Sequence, residues 1–193
     1  MASMRILVTV VAPLVLNGLV FQSALLAQAP REFAEVSFGA IKVSIEHGCP
    51  PWSEQRLAQM KQQVPVGALW RMGADDHTTI LVSGGAIRLG DLVIDDGGFG
   101  LNARRTGERE WSFVTYDGGE ATTESQDNTW ETPATFTERQ DPAPERLAFT
   151  IADEKSAKTL SVRFGPMVLS APIVPVEARD AELAIGGETA NTR

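Results

Sequence analysis

Between Trp70 and Thr79 the chain reads Trp-Arg-Met-Gly-Ala-Asp-Asp-His-Thr-Thr, which gathers an indole, a guanidinium, two adjacent carboxylates and an imidazole around one glycine. Three chemistries are open to such a set. Arg71 can pair with Asp75 or Asp76 and fix a turn, because a planar guanidinium bonds a carboxylate through two nitrogens while its face stacks on Trp70. The same residues can hold a ligand. Trp70 would stack on it, Arg71, Asp75 and Asp76 would orient it, and His77 would give or take one hydrogen bond, a combination suited to a small molecule or a glycan. Finally, His47, His77, Asp75 and Asp76 could share a divalent ion that polarises a water, which would make a metal-assisted hydrolase.

The spacing weighs against the third chemistry. The chain has only two histidines, and no His-x-His or His-x-x-x-His pattern forces them into one site. Nucleophilic hydrolysis fares worse: Ser83 stands in Val-Ser-Gly-Gly rather than in a Gly-x-Ser-x-Gly elbow, and no helix follows it. Gly97-Gly98-Phe99-Gly100 likewise lacks the helix of a phosphate cradle and reads as hairpin chemistry. The one cysteine, Cys49, lies in Gly48-Cys49-Pro50-Pro51 with His47 as the nearest basic group, so it can form no internal disulfide and no paired-cysteine metal site. A binding module is therefore expected in preference to an enzyme, with no cofactor.

Composition narrows the partners. The formal net charge is -8, and removing residues 1 to 29, whose only charged side chain is Arg5, takes it from -8 to -9. Such a chain offers no basic stripe for phosphates, which argues against nucleic acid. At the N-terminus a basic start with Arg5 precedes an apolar run from Ile6 to Ala27 and an Ala27-Gln28-Ala29 triplet, the layout of an export signal. Pro13, Asn17 and Gln22 interrupt the run, so a stable membrane span is expected only if the signal stays uncleaved. Pro30, directly after Ala29, obstructs cleavage at that bond and leaves the cut site open. A periplasmic or secreted destination follows.

The elements that must position these groups are mostly strands. Ile41, Val43 and Ile45 alternate with polar neighbours, as do Leu147, Phe149 and Ile151, and Leu160, Val162 and Phe164. Ser53 can cap a short helix reaching about Gln63. Further short strands run from Thr78 to Tyr116, separated by Gly84-Gly85, Asp96-Gly97 and Asp117-Gly118 turns, and Gly165-Pro166 leads into a last one at Met167. Residues from Gly118 to Pro144 are polar and Pro-rich and read as a long surface loop, with Trp130 and Phe136 either pinning it to the domain, the preferred reading, or protruding as a binding element; those from 177 to 193 read as a disordered tail. The whole predicts a single all-β domain over residues 30 to 176, an antiparallel β-sandwich or flattened barrel with one short N-terminal helix.

Several of these segments, in this order, resemble the DUF2911 family of exported bacterial proteins. The resemblance rests on the strand Ile41 to Gly48, Val64-Pro65-Val66-Gly67, Trp70-Arg71-x-Gly73-Ala74 followed by Thr78-Thr79, Gly97-x-Phe99-x-Leu101 and Glu110-Trp111. It covers roughly residues 35 to 175, and it implies a β-rich envelope or secreted domain with no catalytic residues to carry over. Two departures stand out: Asp75-Asp76 replaces the family's Asn and Glu after Gly-Ala, and Asp95-Asp96-Gly97 replaces its Pro-Ala-Gly.

Overall fold

The computed structural model describes residues 29–117, 129–154 and 157–176. The expected export signal, apart from Ala29, the expected C-terminal tail and part of the expected 118–144 loop lie outside the described residues. Twelve strands and one helix follow in order: β1 (Arg31–Phe38), β2 (Ile41–Gly48), α1 (Glu54–Gln63), β3 (Leu69–Trp70), β4 (Thr79–Ser83), β5 (Ile87–Leu89), β6 (Leu92–Ile94), β7 (Gly97–Arg105), β8 (Trp111–Tyr116), β9 (Thr129–Glu138), β10 (Ala148–Glu154), β11 (Ala157–Phe164) and β12 (Met167–Pro175).

Nine strands form one antiparallel path, β1-β2-β4-β7-β8-β9-β12-β11-β10, nearly closed into a barrel. Its two outermost strands, β1 and β10, lie against each other. The expected all-β class with one helix is therefore found, and of the two expected shapes it is the barrel. Closure suits this sequence because every strand but a few carries one apolar row, and curling the sheet lets all those rows share one interior. Val43 and Ile45 of β2, Ile80 and Val82 of β4, Leu101 and Ala103 of β7, Leu160 and Val162 of β11 and Leu169 of β12 are all buried in a single core. Among the described residues no helix is long and apolar enough to cross a membrane.

Three strands escape the sequence reading: the two-residue β3, and the longer β1 and β9. Strand β1 pairs with β2 through a turn at Gly39, whose left-handed φ of 64° glycine adopts without steric cost. Its inward row, Glu32-Ala34-Val36-Phe38, opens on a charged residue, while Phe33 on the opposite face is 62% exposed, which blurs the alternation. Strand β9 occupies ten residues of what reads as surface loop, between β8 and β12. Trp130, Thr132, Ala134 and Phe136 do alternate there, but small polar side chains and Pro133 mask the period. Pro133 is tolerated because β12 pairs only with residues 135–138, so its missing N–H falls past the end of that ladder.

The helix begins where expected. Ser53 accepts a hydrogen bond from the Arg56 amide at 3.2 Å, and Leu57 and Met60 turn inward.

Candidate functional site

The Trp70–Thr79 segment owes its shape to a break in a strand. β3 pairs with β7 at Leu69↔Arg104 and Trp70↔Ala103, and β4 resumes alongside the same strand at Thr79↔Gly100. β3 and β4 are thus two parts of one ribbon along β7, with residues 71–78 bulging out between them. Long bulges of this kind re-aim side chains at the rim of a barrel.

The bulge is held by its backbone. Met72 (φ 51°) and Asp75 (φ 68°) both adopt the left-handed conformation, which costs a non-glycine residue on the order of 1 kcal/mol. Burial compensates at Met72, whose side chain is fully enclosed in the core. The Thr78 hydroxyl donates to the Met72 carbonyl at 3.1 Å, and the Leu101 amide donates to the Thr78 carbonyl at 2.9 Å. Across from the bulge sits Gly48, so close that a β-carbon there would lie 2.5 Å from the Ala74 carbonyl oxygen.

This folding divides the five predicted binding residues. Trp70 and Arg71 line a groove of about 490 Å³ between α1 and the barrel end, together with Arg56, Met60, Leu147 and Phe164. Trp70 is half-buried, edge-on to Trp111 at 6.0 Å and tilted against Phe164 at 6.1 Å, so its ring is braced from below. Arg71 and Arg56 are exposed and form no ion pair among the described residues, and no carboxylate lines the groove. The expected pairing of Arg71 with Asp75 or Asp76 is not formed. Asp75 instead accepts from the Ala29 amide at 2.6 Å, and Asp76 from the His77 amide at 2.7 Å, because the left-handed turn at Met72 sends the acidic pair away from Arg71.

His77 belongs to a second, more apolar trough of about 470 Å³ on the outer face of the sheet, with Phe33, Leu81, Phe99 and Tyr116. Its Nδ1 lies 3.4 Å from the Tyr116 hydroxyl, and its carbonyl accepts from Arg31. No tryptophan lines this trough. Trp111 is buried in the core, and Trp130 lines a separate depression with Val93 and Phe99.

Nor does the predicted metal set assemble. His47 is buried on the inward row of β2, its ring 4.4 Å from that of Phe149, and among the described residues its potential co-ligands are Glu32 and Cys49 rather than His77, Asp75 or Asp76. Burial lowers the pKa of His47 below the ordinary imidazole value, opposed by a hydrogen bond to Gly48. Burial, reinforced by the Glu32 carboxylate, pushes the Cys49 thiol up to about 11. In the metal-free protein Cys49 is accordingly a neutral thiol at pH 7.

Sequence reasoning missed Arg56, which faces the groove from an exposed helical position. It also missed Glu32, whose place opposite His47 follows only once β1 is recognised.

Comparison with known proteins finds no match among curated proteins or solved structures. A family model described as a protein of unknown function, DUF2911, matches residues 29–173. That stretch spans the barrel from the start of β1 into β12, together with the groove, and the chain belongs to the DUF2911 family.

Proposed function

We propose that this protein is an exported, periplasmic or secreted, binding module that takes a small molecule or glycan in the Trp70 groove. The observation that carries the reading is the pairing of a braced, half-exposed indole with Arg71, an exposed guanidinium that has no ion-pair partner among the described residues. Arg71 and Arg56 both face a groove whose described lining holds no carboxylate. An anionic group on the ligand supplies the missing charge, bonded in bidentate fashion. The indole takes a sugar ring or other flat apolar face. A volume near 490 Å³ falls within the usual range of small-molecule sites.

The preferred ligand is therefore a small molecule or glycan with a carboxylate or phosphate. Tryptophan fluorescence titrated with a panel of acidic oligosaccharides, trigalacturonate among them, against neutral maltotriose tests this. Binding of acidic members, lost in Arg71→Ala and weakened in Arg56→Ala, supports the reading. Equal binding of the neutral sugar, or acidic binding that survives both substitutions, contradicts it.

A further inference from the structure

On the inward face of the β1–β2 hairpin the apolar rows end in an unexpected pair. Ala34, Val36 and Phe38 of β1 lie opposite Ile45, Val43 and Ile41 of β2, and the next inward pair toward the barrel end is Glu32 opposite His47. A carboxylate and an imidazole thus occupy positions where the pattern calls for two apolar side chains. Cys49, immediately past β2, brings its sulfur to the same point.

We propose that Glu32, His47 and Cys49 form a binding site for a zinc-class divalent transition metal. One ligand atom from each lies within 4.8 Å of the other two. The Cys49 Sγ to His47 Nδ1 separation is 3.5 Å. A tetrahedral zinc with Zn–S of about 2.3 Å and Zn–N of about 2.0 Å requires a sulfur–nitrogen span of roughly 3.5 Å. Thiolate, imidazole and carboxylate together are the donor set that favours zinc over the hard cations magnesium and calcium, which select all-oxygen shells.

The surroundings hold two of the three ligands in place before any metal arrives. The Phe149 ring packs on His47 at 4.4 Å, the Cys49 amide donates to the Pro30 carbonyl at 2.8 Å, and Arg146 donates to the Cys49 carbonyl at 3.1 Å. Glu32 is exposed, which gives the ion a route in and leaves the fourth coordination position to water. Binding replaces the thiol proton: the S–H bond breaks, a metal–thiolate bond forms, one proton goes to solvent, and no electron is transferred; His47 binds through an unprotonated Nδ1, giving up its 3.4 Å contact with the Gly48 carbonyl and carrying its single ring proton on Nε2. Opposing it are the positive charges of Arg31 and Arg146 nearby. The Glu32 carboxylate and the Cys49 thiolate offset the charge of the dication.

The test is a Co(II) titration of the chelator-stripped full chain. The expected result is one equivalent bound, with a sulfur-to-cobalt charge-transfer band in the near ultraviolet that zinc bleaches by displacement. Because the chain has one cysteine, that band reports Cys49 alone. Glu32→Gln, at an exposed position, should keep the thermal transition and weaken affinity by more than about tenfold, given that even outer partners of a metal site are worth about 10–100-fold. Cys49→Ser should abolish the band. A triple substitution of Asp75→Asn, Asp76→Asn and His77→Ala should leave affinity unchanged. No charge-transfer band in the native chain, a band that persists in Cys49→Ser, or full affinity in Glu32→Gln overturns the assignment. The first of these needs no variant to fold.

Discussion

Gly48 and Ala74 meet backbone to backbone, with no room for even a methyl group between strand β2 and the bulge that carries Arg71. This contact joins two otherwise separate features of the barrel end. On one side lie His47 and Cys49; on the other lie Trp70 and Arg71. Gly48→Ala must push the bulge outward, and overpacking of this kind costs about 1–3 kcal/mol. Chemical denaturation should show that loss, and the same variant should weaken ligand retention in the Trp70 groove.

Arg71→Ala is expected to behave in the opposite way. The side chain is exposed and unpaired among the described residues, so the change in stability should stay within about 0.5 kcal/mol. Ligand binding should nevertheless be lost. A stability loss of several kcal/mol, with binding retained, would assign Arg71 a structural role instead.

His47 links stability to pH. Its folded pKa lies below that of the unfolded chain, so above about pH 6.5 both states are neutral and the residue contributes no slope. As pH falls below that value the unfolded chain takes up a proton that the folded chain resists, and stability declines until the lowered folded pKa is reached. Melting temperature between pH 7 and pH 5 should therefore drop less steeply in His47→Gln than in the native protein. Equal slopes would contradict the burial of a neutral imidazole.

Cys49 should be silent to thiol reagents in the folded state. With its thiol pushed up to about 11, only on the order of one molecule in ten thousand of the metal-free protein carries a thiolate at pH 7, and the residue is buried. Ellman's reagent should react at the rate of unfolding, and promptly once denaturant is added. Rapid reaction of native protein would show the thiol within reach of a reagent far larger than a metal ion, and would contradict its burial.

Much of the barrel is legible in the sequence because Val43-Ile45, Leu160-Val162 and Phe149-Ile151 alternate cleanly and Ser53 announces α1. Strands β1 and β9 are hidden for a common reason: their inward rows are broken by polar or small residues, Glu32 at the start of one and Thr132 and Ala134 within the other. The site is legible in part. Trp70 and Arg71 do share a groove, yet Asp75, Asp76 and His77, adjacent in sequence, are turned elsewhere by two left-handed residues that no side-chain pattern reveals. Arg56 enters only through the packing of α1 against the barrel end.

The central claim is that the groove between α1 and the Trp70–Arg71 corner holds a small anionic ligand. Amide chemical-shift mapping of the isotope-labelled full chain, titrated with an acidic oligosaccharide that quenches its fluorescence, tests this most directly. The account predicts saturable shifts concentrated in residues 56–63 and 69–74 and at Phe164. Shifts centred instead on Phe33, Leu81 and Tyr116 of the outer trough, or spread without a focus, would contradict it.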